Sequence, residues 1–99
     1  MGQKLPPLDL ELYEAVDEIL YLDWDPIGVA GVPEARDEYR AYLPQVFAML
    51  QGGGGIASVA GYLSHVRVDR MGLDEDDECD IRVTEMLLAR RAAIFGREV

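Results

Sequence analysis

Helical periodicity of apolar residues runs through most of the chain and constrains its fold more than any other feature. In the first such segment, Leu12, Val16, Ile19 and Leu20 repeat every three or four residues, which places them along one face of a helix. Three further segments show the same spacing, and none shows the alternation of apolar and polar residues typical of a β-strand. The sequence therefore predicts an all-α protein, a small four-helix bundle.

Proline and glycine residues indicate where these helices begin and end. The expected helices are residues 8–22, 33–50, 56–70 and 74–95, the last with Asp74 as its N-cap. Pro44 falls inside the second segment, but the apolar stripe keeps its phase on both sides of it. We therefore expect one helix that is kinked at Pro44, where the ring removes a backbone hydrogen bond and crowds the preceding turn.

The length and the charge of the chain limit its functional classes. The 99 residues suffice for a single domain, 1–99, and we expect residues 1–7 to form a flexible head. Nineteen acidic residues against nine basic ones give a net charge of −10, which argues against binding to nucleic acid or to an anionic membrane surface. Because no secretory signal and no long apolar run is present, the expected location is the cytoplasm.

Two groups of acidic residues are the candidate partner-binding sites. The first surrounds the turn after helix 1 and the start of helix 2: Asp23, Asp25, Asp37 and Glu38. The second follows helix 3: Asp74, Glu75, Asp76, Asp77, Glu78 and Asp80. Such clusters attract a basic protein, and an exposed aromatic side chain would then anchor it: Tyr21, Tyr42 or Tyr62. The alternative is that these carboxylates only cap helices and face solvent.

The turn after helix 1 also matches part of the calcium-binding EF-hand pattern. Its carboxylates stand at positions one, three and twelve of that pattern: Asp23, Asp25 and Glu34. Position five is Ile27, which offers no side-chain oxygen to a cation. A small calcium-responsive domain built on this loop is therefore a weaker alternative to protein binding.

Residues that often act as nucleophile or base do not combine into a catalytic pattern. Cys79 is the only cysteine and is expected to be a structural thiol. His65 is the only histidine and shares a helix face with Asp69, which predicts a local pair. Ser58 lies two helical turns before His65, beyond hydrogen-bond reach. We therefore predict a protein that is not an enzyme and needs no cofactor.

The segment Trp-Asp-Pro-Ile-Gly-Val at 24–29, followed by Asp-Glu-Tyr at 37–39 before an apolar helix, resembles a family of small bacterial proteins of unknown function. Those proteins are short, helical and acidic, with a Trp-Asp-Pro-Ile/Leu turn and an Asp-Glu-Tyr helix start. The resemblance covers residues 19–73 and implies no activity. It implies a helical domain with a structural motif formed by the turn and the next helix: Trp24, Pro26, Gly28 and Tyr39.

A second likeness, in fold class and charge alone, is to the immunity proteins of nuclease colicins, which are acidic four-helix domains that neutralise a basic toxin. The chain contains none of their binding motif. The sequence thus favours a non-enzymatic domain whose acidic surface engages a basic protein, as an immunity or inhibitor protein does. A structural helical homo-oligomer, such as a homodimer, is the remaining alternative.

Overall fold

The computed structural model describes residues 5–96, and these residues form four α-helices. The helices are α1 (Pro7–Ile19), α2 (Leu43–Gln51), α3 (Ile56–His65) and α4 (Asp77–Phe95). No strand occurs in this part of the chain. The prediction of an all-α four-helix bundle is confirmed. Of the predicted flexible head, residues 1–4 lie outside the described residues, and its last residue already belongs to α1.

A single apolar core lies between the four helices. Each helix contributes completely buried leucine side chains to it, among them Leu12, Leu50, Leu63 and Leu87. Burying one such side chain stabilises the fold by about 1.5–3 kcal/mol. The longest helix, α4, packs along both α1 and α3. None of the described helices is long and apolar enough to cross a membrane.

Helix α1 continues directly into a π-helical turn, Leu20–Trp24. The backbone N–H of Asp25 donates to the carbonyl of Leu20 at 3.1 Å, five residues back instead of the four of an α-helix. Within this turn Leu20, Tyr21 and Trp24 are buried. The inward position of Trp24 is the geometric basis of the site described below.

The predicted second helix is wrong in its extent. Residues 33–35 form a single 3-10 turn and residues 36–42 form further turns, so that α2 begins only at Leu43. Pro44 stands in the first turn of α2, where its missing N–H leaves no helical hydrogen bond unmade. The predicted kink at Pro44 is therefore absent. The apolar phase continued across it because Tyr39 also faces the core, although from a turn.

Helix α3 likewise continues into a π-helical turn, Val66–Arg70, which ends at a left-handed glycine, Gly72, with a φ of +70°. The next helix, α4, has Asp76 as its N-cap and not Asp74 as predicted. The carboxylate of Asp76 accepts a hydrogen bond from the backbone N–H of Cys79 at 3.1 Å. That bond satisfies one of the free donors of the first turn.

Candidate functional site

A buried polar cluster connects both π-helical turns to the first turn of α4. Asp80 is 1% exposed and Arg67 is 6% exposed. Nη2 of Arg67 donates to Oδ1 of Asp80 at 2.8 Å, and Nε1 of Trp24 donates to the same oxygen at 2.9 Å. We name Trp24, Arg67 and Asp80 the buried hub. Because its charges are paired and hydrogen-bonded, the hub can lie inside the bundle and fix α4 against the two turns.

The charge of Arg67 depends on its partner. Burial disfavours the charged guanidinium, but the hydrogen bond and the negative charge of Asp80 outweigh burial and raise the pKa of Arg67 above its ordinary value. Arg67 was not among the site residues predicted from the sequence. A signal was present, because Arg67 follows Leu63 by one helical turn and therefore occupies a core position of its helix.

The loop after α1 is organised by the carboxylate of Asp25. It accepts hydrogen bonds from the backbone N–H groups of Val29 at 2.7 Å and Ala30 at 3.0 Å. The Tyr39 hydroxyl donates to Asp25 at 2.7 Å and accepts from the N–H of Ile27 at 3.1 Å. Asp25 itself has a φ of +34°, a conformation that Asp tolerates because its short side chain bonds locally.

Aromatic contacts join this loop to the buried hub. The rings of Trp24 and Tyr39 meet edge to face with centroids 5.3 Å apart, a preferred geometry for aromatic pairs. Tyr42 approaches Trp24 in the same way at 6.4 Å. The loop, the hub and the first turn of α4 therefore form one connected end of the bundle.

Both predicted groups of acidic residues lie at this end. Sγ of Cys79 is 4.0 Å from the carbonyl oxygen of Trp24, so their chain neighbours Glu78 and Asp23 lie at the same end. Tyr39 packs on Trp24, so the two acidic residues that precede it, Asp37 and Glu38, lie at this end as well. We name the exposed carboxylates of this region the acidic end: Asp23, Asp37, Glu38, Asp74, Glu75, Asp76, Asp77 and Glu78.

Three arginines are engaged by carboxylates outside the acidic end. Nη1 of Arg36 lies 3.1 Å from Asp17, and Nε of Arg40 lies 3.3 Å from the same carboxylate. Arg67 pairs with Asp80 in the buried hub. These three guanidinium groups form their ion pairs elsewhere, whereas Arg82, whose Nη2 lies 3.7 Å from Sγ of Cys79, borders the acidic end.

The carboxylates of two predicted partner-binding residues are engaged within the fold. Asp80 is buried in the hub, and both carboxylate oxygens of Asp25 accept hydrogen bonds within the loop. The prediction was wrong for Asp80, because a run of carboxylates does not reveal which members turn inward, and for Asp25 it stays a prediction. On α4, Asp80 precedes the buried Val83 by three residues and so shares the core face with it.

The predicted aromatic anchors are not exposed either. Tyr21 is buried and its hydroxyl donates to the carbonyl of Val32 at 3.0 Å. Tyr42 and Tyr62 are half-buried. Tyr21 is covered by residues that follow it in the chain, since the guanidinium of Arg36 also lies 4.6 Å from the centre of its ring. The large exposed apolar side chains of the loop are aliphatic: Leu22, Ile27 and Val32.

The calcium alternative requires Asp23, Asp25 and Glu34 to converge on one ion. In the described part of the chain, no three His, Cys, Asp or Glu side chains form a group that could hold a metal ion. The reason is local, since Asp25 turns its oxygens toward backbone N–H groups while Asp23 and Glu34 are exposed. These three residues are therefore not brought together as a calcium site.

Potential nucleophiles lie in local contacts. His65 pairs with Asp69 at 2.8 Å, as predicted. The hydroxyl of Ser58 donates to the carbonyl of Gly55, and that of Thr84 donates to a backbone carbonyl of the preceding helical turn. Neither hydroxyl donates to a base, which serine-type nucleophilic catalysis requires. That the protein is not an enzyme stays a prediction.

Comparison of the chain with protein-family models, with curated proteins and with solved structures found no match. The resemblance to the bacterial family with the Trp-Asp-Pro turn therefore stays a prediction. The packing that it implies between Trp24 and Tyr39 is present in the structure.

Tyr39 should make the fold sensitive to alkaline pH. Burial raises the pKa of its hydroxyl above the ordinary value of 10.0, the hydrogen bond from Ile27 lowers it, and Asp25 raises it further. The folded state thus holds the proton of the Tyr39 hydroxyl more tightly than the unfolded state does. The resulting contribution to the free energy of unfolding is fully present below about pH 10 and is lost as the pH rises toward the folded pKa. The free energy of unfolding of the wild type, measured with urea, should fall by up to about 1.4 kcal/mol per pH unit above pH 10.

The Tyr39→Phe variant removes this titration. Its free energy of unfolding should be lower at neutral pH, because two hydrogen bonds are lost, but it should fall less steeply between about pH 9 and 11. Parallel curves for the two proteins over that range would contradict the assignment.

Proposed function

We propose that the protein is a non-enzymatic domain that binds a basic protein through the acidic end. One observation carries the proposal: the two acidic groups, separated in sequence, lie at one end of the bundle. Trp24 brings them there through its hydrogen bond to Asp80 and its contact with Cys79. Concentrated negative charge attracts a cationic partner and accelerates association.

Exposed aliphatic side chains in the same region support binding to a protein over a solvating role for the charge. Leu22 precedes Asp23 in the π-helical turn, and Ile27 and Val32 lie on the loop that follows. Apolar side chains bordered by polar ones are typical of protein interfaces, where the apolar part is covered and the polar rim stays wet. The expected partner surface therefore presents apolar residues flanked by Arg and Lys.

An immunity or inhibitor protein for a basic toxin or enzyme is the narrower form of this proposal. Such a protein acts by covering a basic surface, which needs charge complementarity and no catalytic group. The cytoplasmic location expected from the sequence belongs to the same proposal.

The test compares three immobilised baits in a pull-down from a lysate of the source organism. The baits are the wild type, an acidic-end variant (Asp23→Lys with Glu78→Lys) and a control variant (Glu14→Lys with Glu85→Lys). All four positions are exposed, and both variants change the net charge equally. The control positions lie in the middle of α1 and α4, so that only the location of the charge differs.

We expect one basic protein on the wild-type and control baits, released as salt rises, and its loss from the acidic-end variant. With that protein purified, the association rate constant of the acidic-end variant should fall about tenfold or more and depend less on salt. Equal retention by the two variant baits, whether reduced or not relative to the wild type, would show that the location of the charge does not matter. If the baits retain only further copies of the same protein from the lysate, the protein is a homo-oligomer instead. Either result would overturn the proposal.

A further inference from the structure

A groove of about 470 Å³ lies at the end of the bundle opposite the acidic end, where α1 begins and α2 and α4 end. Small-molecule sites usually have volumes of about 300–1,000 Å³ and mostly apolar walls with a few polar groups. The accessible apolar lining of this groove includes the half-buried Phe95 and the exposed Ala92, whereas Leu12 and Leu50 lie beneath it and are fully buried. Its size and lining suit a small organic molecule with an apolar part.

Two groups of opposite charge line the same groove. Arg91 is half-buried, and its Nη1 donates to the backbone carbonyls of Leu50 at 3.1 Å and Gly54 at 3.2 Å. Asp9 lies in the first turn of α1. The salt bridges within the described residues are formed by other groups, so Arg91 and Asp9 face the groove without pairing with each other.

The glycine-rich loop holds Arg91 in place. The N–H of Gly54 donates to the carbonyl of Met49 at 2.8 Å, and a Cβ at this position would lie only 2.8 Å from the same oxygen. Only glycine permits this approach without a shift of the backbone. The approach presents the carbonyl of Gly54 to the guanidinium of Arg91. A cation that is fixed in this way loses little freedom when it binds an anion.

We propose that this groove binds a small zwitterion with an apolar side chain, such as an apolar α-amino acid. The carboxylate of the ligand pairs with the guanidinium donors of Arg91 that do not serve the two carbonyls. The ammonium group pairs with Asp9, and the side chain lies against Phe95 and Ala92. A ligand with one charge only would leave the opposite wall unmatched and would bring its own charge close to a like charge.

Three matched probes test the charges of the ligand. The wild-type protein, labelled with nitrogen-15, is titrated to millimolar concentrations with phenylalanine, with hydrocinnamate, which lacks the ammonium group, and with phenethylamine, which lacks the carboxylate. We expect phenylalanine to shift the amide resonances of the groove and to bind at least about tenfold more tightly than either analogue, since each analogue loses one charge-assisted hydrogen bond. No shift with phenylalanine, or equal affinity of the three probes, would overturn the proposal.

Two variants locate the site. Ala92→Phe adds bulk at an exposed position of the groove and should abolish the shifts, while the spectrum itself reports that the bundle is still folded. Asp9→Asn should weaken phenylalanine about tenfold and leave hydrocinnamate bound at least as well as before. Unchanged binding of phenylalanine to Ala92→Phe would place the ligand elsewhere and refute the assignment.

Discussion

Replacing Asp80 by leucine is expected to lower the free energy of unfolding by about 3–5 kcal/mol, because it leaves the buried Arg67 charge and the Trp24 N–H without their acceptor. For a domain whose total stability is about 5–15 kcal/mol, this is a large share. The measurement is urea unfolding at neutral pH, followed by far-ultraviolet circular dichroism. Most of the loss comes from the unpaired charge, since the leucine side chain itself suits an apolar surrounding.

A double variant separates the effect of the unpaired charge on stability from the effect of side-chain packing. In the double variant Arg67→Leu with Asp80→Leu, no buried charge remains unpaired, and we expect it to be more stable than Asp80→Leu alone. Glu85→Gln, at an exposed position of the same helix, should change the free energy of unfolding by less than about 0.5 kcal/mol. An Asp80→Leu variant that is as stable as Glu85→Gln would show that the hub does not stabilise the bundle.

Most of the fold could be predicted because its helices obey local rules. The spacing of Leu12, Val16 and Ile19 placed α1, and the glycines at 52–55 and Gly72 separated α3 from its neighbours. Such signals lie within a few residues of the feature that they predict. They do not depend on how the helices meet.

The boundaries of α2 could not be predicted in the same way. Tyr39 and Tyr42 continue the apolar phase of α2, yet they reach the core from turns that are held by the Asp25 loop. A single sequence shows that a residue faces the core but not which backbone carries it there. Tyr21 poses the same difficulty, because it is covered by later residues of the chain, through the guanidinium of Arg36 and the carbonyl of Val32.

The candidate site depended on contacts between distant residues. Asp80 belongs to a run of acidic residues that the sequence alone would place in solvent. Only its hydrogen-bond partners show that it is buried, and they lie far away in the chain: Arg67 is 13 residues and Trp24 is 56 residues distant. Its position in phase with Val83 and that of Arg67 in phase with Leu63 are a usable signal in retrospect. Two opposite charges at core positions of neighbouring helices predict a buried pair better than either charge does alone.

Truncation of Trp24 is the second substitution with a large expected effect. Trp24→Ala removes a side chain that is 2% exposed, together with its hydrogen bond to Asp80 and its contacts with Tyr39 and Tyr42. The expected loss of unfolding free energy is about 3–5 kcal/mol. Trp24→Phe keeps an aromatic ring and loses only the indole donor, so its loss should be about 1.5–3 kcal/mol. Because Trp24 is the only tryptophan, circular dichroism must follow the unfolding.

The combination of Trp24→Phe with Asp80→Leu tests whether the hub acts as one unit. Each single variant breaks the same hydrogen bond, so the double variant should lose less stability than the sum of the two, by about 0.5–3 kcal/mol. Phe47→Leu is the matched control, because Phe47 makes its ring contact with Tyr13, which is not a member of the hub. Its effect should add to that of Asp80→Leu within about 0.5 kcal/mol. Additive losses for Trp24 and Asp80 would mean that the loop and α4 are held together by separate contacts, and the acidic end would then have no common support.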